Sequence, residues 1–119
     1  MKVRDYYEVK LYLGGINSVT GEDIYGFTLE RVVGEVQEDY GKIIPVRITE
    51  TTYISGVNYR ERGWEIAAIN YPRLFIPMSD IKDFMLELGN KLIKKFGQSR
   101  ICVLDSVENE IIMLERENG

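Results

Sequence analysis

The sequence predicts an α+β sandwich, two helices laid over one face of an antiparallel sheet. Three patterns carry that prediction. Apolar and polar residues alternate strictly from Tyr6 to Leu13. Apolar residues recur at three- and four-residue steps in two long stretches, Tyr25 to Tyr40 and Ile81 to Phe96. Runs rich in Ile, Val, Thr and Tyr fill the space between and after them.

Taken in order, Tyr7, Val9, Leu11 and Leu13 share one side of the first strand, and Tyr6, Glu8, Lys10 and Tyr12 share the other. Gly14 to Gly21 breaks the alternation with residues that suit tight turns. The first helix follows, with Tyr25, Leu29, Val32, Val33, Val36 and Tyr40 as its stripe and Gly41 as its stop. Two starts compete for it: a capping box from Thr20 to Asp23, or a cap at Thr28. Lys42 to Ser55 and Trp64 to Tyr71 read as an antiparallel pair joined by a loop from Gly56 to Gly63. Ser79 and Asp80 open the second helix, whose face is Ile81, Phe84, Met85, Leu88, Leu92 and Phe96. Lys91, Lys94 and Lys95 suit the negative end of its dipole, and Gly97 ends it. Ile101 to Asp105 is a fourth strand and Ile111 to Leu114 a short fifth. The order βαββαβ is the ferredoxin-like arrangement, here with an extra C-terminal strand. One domain over residues 1–119 is expected, with 115–119 as a frayed tail.

Composition narrows the function. The chain has 119 residues, a net charge of -4, no histidine and one cysteine. Without histidine, Ser-His and Cys-His nucleophile pairs and His-ligated metals are excluded, and no cofactor is expected. Cys102 lies in the apolar run Ile101 to Leu104 and reads as a small core residue. The negative charge argues against nucleic acid as a partner. No apolar run spans a bilayer, and the charged N-terminus is unlike a signal peptide, so a cytoplasmic setting without membrane contact is expected.

The side of the sheet that helices leave bare decides what the domain meets. On the first strand it carries Tyr6, Glu8, Lys10 and Tyr12, and on the second, depending on register, Arg47, Thr49, Thr51 and Tyr53. Tyrosines among polar groups suit a ligand platform or a sheet-to-sheet dimer. Arginines gather in or near the third strand, at Arg60, Arg62 and Arg73, with Arg100 entering the fourth; guanidinium groups pair with phosphates through planar, paired donors. Trp64 serves as a core ring or as a stacking surface for a base. Acidic pairs at Glu22-Asp23, Glu38-Asp39 and Glu108 to Glu110 fall at turns and helix ends, where solvation alone accounts for them.

The run Lys94-Lys95-Phe96-Gly97-Gln98-Ser99-Arg100-Ile101 is a helix ending in aromatic-x-Gln before an apolar strand. With the opening strand, its glycine-containing loop and the spacing from Glu61 to Trp64, it resembles phage anti-Thoeris sponge-type proteins that trap cyclic ADP-ribose, and related ferredoxin-like families. Ser99-Arg100 stands where those proteins have an acidic residue followed by a small one, and the acidic segment Asp105 to Glu110 is longer. The resemblance implies a non-catalytic homo-oligomer of phage type that sequesters a small phosphorylated ligand, a nucleotide, at a subunit interface. In that picture Arg60, Arg62, Arg73 or Arg100 meets phosphate, Tyr53 or Trp64 stacks on a base, and Asn17 or Gln98 bonds the sugar. Two other readings stand beside it: an acidic inhibitor or interaction module that binds a protein, and a small dimeric α/β-barrel isomerase or cofactor-free oxygenase.

Overall fold

The computed structural model describes Met1 and residues 6–71 and 74–117. The elements run β1 (Glu8–Gly14), α1 (Gly26–Tyr40), β2 (Arg47–Ile54), β3 (Arg60–Ile69), α2 (Met78–Lys95), β4 (Arg100–Asp105) and β5 (Glu110–Glu115). They form one five-stranded sheet in the order β2-β3-β1-β4-β5, every neighbouring pair antiparallel. This is the expected ferredoxin-like order, with β5 added at the β4 edge.

The alternation in β1 sends Val9, Leu11 and Leu13 into the core, while Glu8, Lys10 and Tyr12 face the uncovered side. Register carries the division across the sheet. Tyr12 pairs with Glu65 and Cys102, and Glu65 pairs with Thr49, so all four share the uncovered face. Ile66, Ile101 and Val103 lie on the other side with α1 and α2. Helix α1 contributes Leu29, Val32, Val33 and Val36, and α2 contributes Ile81, Phe84, Met85, Leu88, Leu92 and Ile93. The Tyr40 ring meets Phe84 edge-on, centroids 5.2 Å apart, joining the two helices.

Several expectations are corrected. Cys102 is half-buried on the uncovered face, because an alternating strand through Ile101 and Val103 must send it the other way. Neither proposed cap starts α1: Tyr25 occupies the cap position without a side-chain bond. The loop before α1 is held by its own backbone instead, through Asn17 N–H to Glu22 O and Ile24 N–H to Gly15 O, both 2.8 Å. The Thr20 hydroxyl accepts from Glu22 N–H at 3.2 Å. Strand β3 begins at Arg60, within the expected loop, since Arg60 to Gly63 complete a ladder with Thr51 to Ile54. Strand β2 begins only at Arg47. Pro45 cannot donate to a ladder, and Ile44, fully buried, is anchored through its carbonyl by Gln37 Nε2 at 2.9 Å. At the far end of the chain Glu115 closes β5, and Arg116 donates to the carbonyls of Gln98 and Gly97 at 2.9 and 2.8 Å.

One charged group sits inside the core side of the sheet. Asp105, 3% exposed, accepts from Lys82 Nζ at 3.0 Å, from the backbone N–H groups of Val107 and Glu108 at 3.0 and 3.2 Å, and from the Tyr7 hydroxyl at 3.4 Å. Burial alone would raise its carboxyl pKa; the bonds from Lys82 and the two amides outweigh it and hold the value below the usual range. The Tyr7 phenol is pushed up to about 12 by burial and by that carboxylate. Among the described residues, no helix is long and apolar enough to cross a membrane.

Candidate active site

The uncovered face has two unlike ends. At one, Glu8 is held by Lys10 and Arg47, both at 3.3 Å, so its charge is answered within the sheet. Burial works to raise its pKa, and bonds from Tyr6, Lys10 and Arg47 together bring it below the usual carboxylate range.

At the other end, Tyr12 on β1, Tyr53 on β2 and Glu61 and Glu65 on β3 stand together. Glu65 is directly opposite Tyr12, and Glu61 directly opposite Tyr53. The two rings meet edge-on, centroids 6.1 Å apart at 74°. Neither Glu61 nor Glu65 forms an ion pair among the described residues. Burial, then Glu65, Tyr12 and Glu61, push the Tyr53 phenol up to about 12. Burial and then Glu65 likewise raise the Tyr12 phenol. Both tyrosines are therefore protonated near neutral pH and act as donors, while the carboxylates supply negative charge.

Two glycines underlie this end. Gly14 and Gly63 face each other across β1 and β3, and the Tyr53 ring lies over Gly63, its Cε2 3.3 Å from where a Cβ would stand. That Cβ would also fall 2.7 Å from the Leu13 carbonyl oxygen, so a side chain is excluded there. Gln98 borders the floor: its Oε1 is 3.0 Å from the place of a Gly14 Cβ. The result is a shallow, acidic, aromatic-walled hollow.

A separate cavity of about 580 Å³ opens on the opposite side of the same hairpin, between β3, the loop before α1 and the start of α1. Arg60, Arg62 and Trp64 line it with Asp23, Tyr25, Glu50, Tyr59 and Glu61. Trp64 is half-buried and fixed by its Nε1–H donating to Ile24 O at 3.1 Å. Arg62 is engaged by Glu50, with Nε at 3.0 Å from Oε1.

The eight sequence-derived candidates thus divide. Arg60, Arg62 and Trp64 meet at the cavity, and Tyr53 and Gln98 border the hollow on the other face. Asn17 is occupied inside its loop, its Oδ1 accepting from the N–H groups of Val19 and Thr20 at 2.9 and 3.1 Å. Gln98 is 7% exposed and also holds that loop, donating to Ile16 O at 2.9 Å and to Phe96 O at 3.0 Å. Arg100 lines a surface depression with Ser99, Glu115 and Arg116. Arg73 lies outside the described residues. Tyr12, Glu61 and Glu65 were absent from the candidates. Their signal is register, which sets Glu65 opposite the distant Tyr12 and Glu61 opposite Tyr53. Among the described residues no group of three acidic or thiol side chains is placed to hold a metal ion.

No family model matches the chain, and no curated protein matches it in sequence. Two solved structures match its fold. A phage SAM lyase in complex with S-methyl-5'-thioadenosine superposes with a TM-score of 0.66 at 12% identity, covering 94% of this chain and 91% of that one. A phage SAM lyase in the apo state gives a TM-score of 0.63 at 16% identity, covering 95% and 91%. Both are phage proteins, as the resemblance to phage sponges implied, but neither is a sponge. The expectation of a non-enzyme is corrected by the same finding: these neighbours are enzymes, so a histidine-free chain of this fold is not thereby excluded from catalysis. What the likeness shows of this chain is its fold: a ferredoxin-like sheet, extended by a fifth strand, of the kind found in phage SAM lyases.

Proposed function

We propose that this protein is a phage-type lyase acting on S-adenosylmethionine (SAM) or a close sulfonium nucleoside, with Tyr12, Tyr53, Glu61 and Glu65 as its reaction site. The observation that carries the reading is that cluster: two protonated phenols and two carboxylates that form no ion pair among the described residues, gathered over two facing glycines in a fold its neighbours use as SAM lyases.

The chemistry suits these groups. A sulfonium is a fixed cation, attracted to carboxylates and to aromatic rings. Release of S-methyl-5'-thioadenosine from SAM breaks the bond between sulfur and the four-carbon amino-acid chain. Sulfur keeps the bonding electron pair and departs as a neutral thioether, so the leaving group needs no proton and the enzyme no histidine. The electron pair lost by carbon is replaced in one of two ways. The substrate's own carboxylate attacks and closes a lactone, or a base takes a proton from the adjacent carbon and a double bond forms. In this reading Glu61 and Glu65 hold the cationic sulfur and the α-ammonium, and the phenols of Tyr12 and Tyr53 orient the substrate carboxylate by donating to it.

A hollow on an open sheet admits water, and a second copy of the chain is the proposed cover. Beside the hollow, β4 and β5 present half-buried Cys102 and Leu104 with exposed Ile111 and Met113, and β5 is an edge strand whose apolar run carries neither proline nor lysine.

The deciding experiment incubates the purified chain with SAM and follows products by mass spectrometry. Methylthioadenosine is expected, with the four-carbon product identifying lactone or alkene, and Glu65→Gln should be roughly 100-fold slower. Intact SAM at stoichiometric protein, with no binding of methylthioadenosine, would overturn the reading. Light scattering of the wild type and of Met113→Lys tests the cover: the wild type should be oligomeric and the variant smaller.

A further inference from the structure

The cavity behind the hairpin is a second site, and the geometry points to a nucleoside monophosphate as its ligand. It is distinct from the proposed reaction site because strand alternation turns Arg60, Arg62 and Trp64 to the other side of β3, away from Glu65, although Glu61 borders both. At about 580 Å³ its volume falls in the ordinary range for small-molecule pockets.

Three features define the ligand. Trp64 is already held by its bond to Ile24 O, and Tyr25 and Tyr59 flank it with rings more than half exposed, so a planar base can stack without first ordering its platform. Asp23 lines the cavity and forms no ion pair among the described residues; a carboxylate in such a position accepts hydrogen bonds from a ribose diol. Among the described residues Arg60 is the lining cation without a carboxylate partner, since Arg62 is bound to Glu50. A single uncommitted guanidinium, set among carboxylates, matches one phosphate and disfavours a chain of them.

The chain contains one tryptophan, so its fluorescence reports this cavity directly. Adenosine 5'-monophosphate (AMP) should quench Trp64 saturably. Adenosine should bind about tenfold more weakly, and Arg60→Ala should weaken AMP by about tenfold while leaving adenosine unchanged. ATP should bind less well than AMP. Glu65→Gln should leave the AMP titration unaltered, and Arg60→Ala should leave SAM turnover unaltered. Absence of saturable quenching by AMP overturns the inference, as does equal AMP affinity in Arg60→Ala. Loss of AMP binding in Glu65→Gln would also overturn it, by placing the nucleotide on the open face. None of these results depends on whether SAM is turned over.

Discussion

The two sides of β3 share one backbone and one pair of neighbouring strands, yet they face different chemistry. Glu61, Gly63 and Glu65 look onto the uncovered face with Tyr12 and Tyr53; Arg60, Arg62 and Trp64 look into the cavity beside α1. Read along the sequence, Arg60-Glu61-Arg62 is one self-neutralising patch. The pleat sorts it into an acidic side and a basic side, and charges adjacent in the chain no longer serve the same ligand. The lesson extends along β1, where Leu11 is wholly buried and its neighbour Tyr12 belongs to the proposed reaction site.

That contrast can be broken at chosen points. The largest expected effect is on the covered side: Leu11→Ala should cost about 3 kcal/mol of stability by leaving a cavity under α2, measured by urea denaturation, with turnover per folded molecule unchanged. If Leu11→Ala lost turnover and kept its stability, the assignment of sides would be wrong. Next comes Glu65→Gln, expected to lose roughly 100-fold in rate, equivalent to about 2.7 kcal/mol of barrier, with a denaturation midpoint like the wild type. A large fall in that midpoint would make Glu65 a structural residue.

A smaller effect comes from Asp105. Its folded-state pKa lies below the unfolded value, so its stabilisation is complete above the unfolded pKa of about 3.9 and is lost as pH falls through the folded pKa. Denaturation midpoints measured down the acid limb should fall, and Asp105→Asn should flatten that fall. An unchanged limb would mean that other carboxylates carry it. The smallest effect is expected at Arg62, largely exposed beside Glu50: Arg62→Ala should leave the thermal midpoint where it was.

Much of the fold was legible because it is written in local periodicity. Tyr7 to Leu13 and the stripes from Leu29 to Val36 and from Ile81 to Leu92 name their own buried faces, and Gly41 and Gly97 end their helices with φ of 83° and 59°. The candidate site was legible only in part. Tyr53 and Trp64 could be selected as aromatic, but their separation onto two sides depends on where β3 begins. The polar run Arg60 to Gly63 reads as a loop until β2 is there to pair with it. Glu61 and Glu65 resemble any solvated carboxylates in sequence; pairing with Tyr53 and Tyr12 sets them apart. Asn17 and Gln98 suit sugar bonding by residue type, and the loop before α1 consumes much of that capacity.

The facing glycines at 14 and 63 constrain how such a protein can diverge. The bottom of the hollow is main chain, made of atoms common to every amino acid, and Gly63 has no room to acquire more. Descendants of this sequence can therefore change what they accept only by altering the rim, at Tyr12, Tyr53, Glu61 and Glu65, or by altering the proposed covering copy. Selectivity is confined to the walls, and the base would persist unchanged while the rest of the surface drifts.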